Sequence, residues 1–180
     1  YFGWVDGTFR MLDESEIDSS ILAAIGGAIC WIFKPLGWGN WQATVASITG
    51  LVAKENIVGT LGILYGGGDG TVYQNIAQAF TGITGYSFLV FNLLCAPCFA
   101  AIGAMKREFN NAKWTLAAVG YQCVFAYTIA LIVYQLGLLF SGAGFTVATA
   151  IAILLLAGLV YLVVRKNPYN DNHLTQKVSA

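Results

Sequence analysis

The sequence predicts an all-α integral membrane protein, a polytopic helical bundle with an interfacial helix, a re-entrant hairpin and a proline-broken helix. Three observations lead there. Of the 180 residues, 57% are apolar and 10% are charged, against roughly 45–50% and 25% in soluble domains. Mean hydropathy is +0.67. The charges are also segregated: no Asp, Glu, Lys or Arg occurs from Gly70 to Met105, nor from Trp114 to Val164. A soluble domain of this length has too little interior to hide such runs.

Residues 1–20 are polar and acidic, with Asp6, Asp13, Glu14, Glu16 and Asp18 against Arg10, and are expected to form an extracytoplasmic loop. Asp18, Ser19 and Ser20 are N-cap candidates for the next element. The apolar run from Ile21 closes at Lys34-Pro35 and is too short to span a core that needs about 20 residues. It reads as an interfacial helix over 21–34, with Trp31 and Trp38 at headgroup level. The segment 41–65 is apolar but interrupted at Lys54-Glu55-Asn56. It is either a single span or a hairpin of two half-helices with the charges at its tip. Gly66-Gly67-Gly68-Asp69-Gly70 then forms a loop, and 74–84 a short surface helix. Spans are predicted over 86–105, 114–140 and 144–164, joined by a basic loop at 106–113 and a turn at 141–143. The membrane region is thus 21–164, and 165–180 is a polar tail.

Basic residues favour the cytoplasmic side. Lys106, Arg107 and Lys113 in one loop, and Arg165-Lys166 at the start of the tail, are separated by two spans and share that side. The C-terminus is then cytoplasmic. Net charge is zero with no basic run, so nucleic acid is not an expected partner. There is no G-x-x-x-x-G-K-[ST] loop and no H-E-x-x-H, and His173 is the only histidine. The chain is not expected to be an enzyme, or to hold a permanent cofactor. It starts without Met, which suggests a piece of something longer.

Cys95-Ala96-Pro97-Cys98 is the sharpest feature. Pro97 lacks an amide hydrogen and clashes with the carbonyl four residues back, so the 86–105 helix kinks or unwinds there. Broken helices at membrane depth free backbone carbonyls for ions and substrates. Two thiols three residues apart could share a borderline metal, exchange as a dithiol, or simply pack. Lys54 and Glu55 are the second feature. A charge at the bilayer centre costs about 2.5–3.5 kcal/mol and needs a reason. Glu55 could offer oxygen ligands, and Lys54 could pair with a carboxylate or a helix C-terminus. The two could also form a structural ion pair. Asn92 precedes Cys95 by one turn and could face an ion or a neighbouring helix. Cys30 and Cys123 read as packing residues, and Gln122 and Gln135 as interhelical hydrogen-bonders. Small residues at Gly50, Gly59, Gly62, Ala100, Ala101, Gly103 and Ala104 would let helices approach closely.

Several stretches together resemble the C-terminal membrane part of FeoB-type ferrous iron transporters. They are Trp41-Gln42-Ala43-Thr44-Val45, Leu51 to Leu61 with its Ala53-Lys54-Glu55 element, Asn92 to Cys98, and Gly103 to Glu108. The resemblance implies half of a nucleoside-transporter-like Gate inverted repeat in the bacterial inner membrane, with Fe2+ as the transported ion. It makes Cys95 and Cys98 the candidate iron contacts. Glu55 and Asn92 are further pathway candidates, and Pro97 and Lys54 structural or gating residues. It also implies partners: the lipid bilayer, and an N-terminal GTP-binding domain and first Gate half that this sequence does not contain. Homo-oligomerisation stays open. An organic-solute carrier and a structural membrane anchor for a GTPase are the alternatives.

Overall fold

The computed structural model describes residues 2–5, 8–11, 20–66, 71–142 and 144–165. The acids Asp6, Asp13, Glu14, Glu16 and Asp18, the glycine-rich stretch after Gly66, part of the 141–143 turn, and the tail with His173 lie outside the described residues.

The N-terminal stretch, expected as a loop, carries a small antiparallel hairpin of β1 (Phe2–Val5) and β2 (Thr8–Met11), with Val5 opposite Thr8. The rest of the described architecture is helical. Ser20 is the N-cap of α1 (Ile21–Ile29), its Oγ accepting from the Ala23 amide at 3.0 Å. The chain then tightens into a 3-10 helix, Cys30–Leu36, which contains Pro35 and runs past the expected end at Lys34. Gly37 ends it at φ +90°, where the Tyr134 ring lies against the Cα. Only glycine takes that left-handed backbone readily, and no side chain would fit under the ring.

The reversal at Gly37 corrects one expectation. Trp31 is 64% exposed, as a headgroup-level residue would be, but Trp38 is 1% exposed and sits in the core. It stacks on Phe33 at 4.4 Å between ring centroids and meets Phe88 edge-on at 5.0 Å. Around it lie Leu36, Ala43, Ala46, Phe91, Ala126, Ala130 and Leu131. Small alanines let the helices close on the aromatic rings, and the core sits where they converge.

Asn40 caps α2 (Trp41–Gly50) through its Oδ1 and the Ala43 amide at 2.8 Å. After a break at 51–55 comes α3 (Asn56–Leu64). Thr49 Oγ1 and Thr60 Oγ1 are 3.0 Å apart. In one continuous helix, residues so spaced would stand about 16 Å apart along the axis. The chain therefore folds back here as a helical hairpin. Gly50 permits the close approach, since a Cβ there would meet the Ile57 side chain at 2.5 Å. Among the described residues nothing lies close to Gly59, Gly62 or Gly103, so close approach is seen at Gly50 and not at these three.

A surface helix α4 (Val72–Ala79) follows, with Gln74 Oε1 accepting from the Thr71 amide at 3.1 Å. The predicted 86–105 span begins earlier and is interrupted: α5 is Gly82–Leu94 and α6 is Phe99–Phe109. The expected 106–113 loop shrinks to Asn110 and Asn111, because Lys106 and Arg107 continue α6 into its last turn. Cations there complement the helix C-terminus. Asn110 takes a left-handed backbone at φ 46°, and Asn111 caps α7 (Ala112–Phe140). The last helix, α8 (Val147–Val164), is capped by Thr146. Gly82–Phe109, Ala112–Phe140 and Val147–Val164 are long and apolar enough to cross a membrane. The segments Ile21–Leu36 and Trp41–Gly50 make a further pair, bent by 96°. At 29 residues α7 is about 43 Å long, so it must tilt within a core of about 30 Å.

Candidate functional site

Two helix breaks meet at one place. The first is the hairpin tip, 51–55. The second is Cys95–Cys98, where α5 ends and α6 has not begun. Pro97 has no N–H to continue the ladder, and it pushes Ala96 away from the helical region. Cys95 and Cys98 are both extended, with ψ of 169° and 161°. The helix is thus fully unwound for one turn rather than merely kinked.

The unwinding leaves carbonyls at the end of α5 without their helical donors. The Leu93 carbonyl would have taken its hydrogen bond from position 97, which is proline. The Cys95 carbonyl would have taken the Phe99 amide, but that amide donates instead to the Leu51 carbonyl at 3.0 Å. Lys54 fills the gap. Its Nζ donates to the carbonyls of Asn92, Leu93 and Cys95 at 2.9, 3.2 and 3.3 Å. Of the partners considered for Lys54, the structure therefore selects a helix C-terminus. The ammonium sits at the negative end of the α5 dipole.

A cavity of about 510 Å³ opens beside these bonds, lined by Lys54, Glu55, Cys95, Pro97, Cys98 and Gln122 among others. Glu55 is exposed at its edge, and Cys95 and Cys98 are half-buried free thiols. Asn92 is placed differently. Its side chain is buried, and its Nδ2 donates to the Phe88 carbonyl of its own helix at 2.8 Å. Asn92 reaches the site through its main-chain oxygen. Among the described residues, no group of three or more His, Cys, Asp or Glu side chains is assembled to hold a metal.

Two residues at the site were read from sequence as packing and bonding residues. Cys123 of α7 is a near neighbour of Cys95. Gln122 lines the cavity, and its buried Oε1 has no hydrogen-bond partner among the described residues. The other glutamine behaves as expected: Gln135 Nε2 donates to the Pro35 carbonyl at 2.9 Å, and its Oε1 accepts from Thr149 at 3.3 Å. No signal along α7 separates the two, since the helix is apolar around most of its circumference and its facing cannot be read from periodicity.

Interrupted helices crossing beside a cavity, inside a bundle of membrane-length helices, define a transporter-like membrane module. Comparison with known proteins agrees in class. The Gate family, described as nucleoside recognition, matches residues 11–112, and the chain belongs to it. It is 39% identical over 125 residues to the Fe(2+) transporter FeoB of Staphylococcus aureus (strain COL), covering 69% of this chain and 19% of that protein. It is 40% identical over 121 residues to the Fe(2+) transporter FeoB of Methanocaldococcus jannaschii, covering 67% and 18%. It is 32% identical over 131 residues to the Helicobacter pylori protein of the same name, covering 68% and 20%. The chain thus spans about a fifth of the length of these relatives, and the resemblance to FeoB-type transporters is borne out. No solved structure matches.

Proposed function

We propose that this chain is the membrane permease part of a ferrous iron importer and that Fe2+ crosses beside the Cys95–Cys98 break. The supporting observation is the coincidence of that break, two free thiols and an open cavity in a chain whose relatives are named for Fe2+ transport. Fe2+ is cargo, met by the sulfurs of Cys95 and Cys98, with the Glu55 carboxylate as an oxygen contact at the cavity edge. Mixed sulfur and oxygen contact suits a borderline divalent ion. Two thiols without a full ligand set also suit transit, where an ion must leave as readily as it enters. The hairpin 41–65 is re-entrant in this reading. The basic end of α6 and the tail face the cytoplasm, and the membrane is the bacterial inner membrane. A GTP-binding domain and a first Gate half complete the working protein.

The test is anaerobic Fe2+ uptake in cells lacking other iron importers, comparing the whole protein with its Cys95→Ser/Cys98→Ser form at matched membrane abundance. Uptake is expected to fall by tenfold or more. Unchanged uptake would remove the thiols from the pathway. The family's description favours a second reading, an organic-solute carrier. The cavity is large enough for a nucleoside. Under that reading a nucleoside, and not metal, raises the thermal midpoint of the purified protein.

A further inference from the structure

Three oxygens converge on one point at the end of α5. The carbonyls of Asn92, Leu93 and Cys95 all accept from the single Lys54 ammonium, at 2.9–3.3 Å. Rings of carbonyl oxygens are what replace the water around a dehydrated cation in a selective site. Half-helix C-terminal ends coordinate cations in broken-helix transporters for the same reason. Here the cluster is built entirely from main chain, and the α5 dipole adds negative potential to it. The cation that occupies it is supplied by the chain itself, from a position 38 to 41 residues away.

Its construction has a definite cause. Pro97 withholds the donor that the Leu93 carbonyl would have used, and the Leu51 carbonyl draws off the Phe99 amide that the Cys95 carbonyl would have used. The break is therefore assembled so that these carbonyls cannot satisfy themselves. It also adjoins the cavity, so an ion in solution has a route to it.

We propose that the carbonyl end of α5 is a cation site in its own right, which Lys54 keeps filled with a tethered ammonium and so denies to monovalent cations such as K+. An ammonium and a potassium-sized ion ask for similar oxygen cages. Bound by its side chain to the hairpin tip, Lys54 meets the carbonyls at an effective concentration that a dilute free ion does not reach. The proposal stands apart from the iron reading, because it concerns main-chain oxygens and not the thiols.

The experiment uses the whole protein that carries this chain, purified in detergent, with Lys54→Met and Lys54→Arg variants. Equilibrium binding of radioactive Rb+ is measured, together with the thermal midpoint in RbCl against N-methylglucamine chloride. Lys54→Met should bind one Rb+ per chain more than the wild type, saturably, and should be stabilised by Rb+ where the wild type is not. Lys54→Arg keeps a positive charge beside the cage and should bind no added Rb+. A folded Lys54→Met protein with no added Rb+ binding overturns the proposal. If Lys54→Met is not monodisperse without a small cation, Lys54→Ala is prepared in Rb+ or ethylammonium chloride. Recovery in either, and not in N-methylglucamine, supports the site, and failure in all of them overturns it. All of these readings are taken without iron, so failure of the iron reading does not register here.

Discussion

Replacing Pro97 with alanine removes the evident reason for the break at Cys95–Cys98, yet we expect the break to survive. A proline in a helix interior costs about 3 kcal/mol relative to alanine. The substitution therefore shifts the balance toward a continuous helix from α5 into α6 by about that amount. The new amide at position 97 could reach the Leu93 carbonyl, and Phe99 could return from Leu51 to Cys95. The opposing loss falls on Lys54. Its ammonium holds three carbonyls at 2.9–3.3 Å, and a hydrogen bond to a charged group contributes about 1.5–3 kcal/mol. One such bond rivals the proline effect, and Lys54 makes three. Closing the helix would leave this half-buried ammonium without its acceptors. Pro97→Ala alone should then keep residues 95–99 open, while Pro97→Ala combined with Lys54→Met should close them. Hydrogen exchange read by mass spectrometry over the 94–99 peptide tests this. The single variant should exchange within about threefold of the wild type. In the double variant exchange should slow by about a hundredfold, the equivalent of roughly 3 kcal/mol. Strong protection in Pro97→Ala alone would show that proline, and not Lys54, holds the turn open. No protection in the double variant would show that neither does.

Two further outcomes concern the scaffold. Trp38→Ala empties the centre of the aromatic core and should destabilise the protein by about 3–5 kcal/mol, seen as a lowered thermal midpoint in detergent; a midpoint within 1 °C of the wild type would refute the packing account. Thr49→Val and Thr60→Val should show a coupling of about 0.6 kcal/mol in a double-mutant cycle, measured by reversible unfolding in mixed micelles, and strict additivity would count against the contact between the hairpin arms.

What was legible in the sequence is what local chemistry dictates. The charge-free runs mark α5, α7 and α8, Pro97 marks the break, and Ser20 marks the start of α1. The β-hairpin has a local signal too: Val5-Asp6-Gly7-Thr8 places Asp-Gly between two strand-like runs, a strong short-range hairpin cue that outweighs the acidic, loop-like composition of residues 1–20. Other features could not be read locally. Lys54 could be expected to seek a helix C-terminus, but which one depends on the hairpin folding beside α5. Trp38 reads as an interfacial anchor because it follows an apolar run, closed by Lys34-Pro35, that is too short to span. Its burial follows from the left-handed turn at Gly37 and from Phe88 and Phe91, about fifty residues on. Gln122 and Cys123 reach the site only through the rotation of α7, which a helix apolar all round does not announce.

The bonds of Gln135 bear on the order in which the chain is made. The residues of the packed core fall between Leu36 and Leu131, so all of them leave the ribosome before α8 does. By then Gln135 can already donate to the Pro35 carbonyl, but its Oε1 has no Thr149 hydroxyl to receive. A chain whose core has closed but whose α8 has not yet docked would hold one unanswered acceptor on its flank. The arrival of α8 answers it, which makes the last helix a latch on a module already assembled and gives the insertion machinery a polar mark for where that helix belongs.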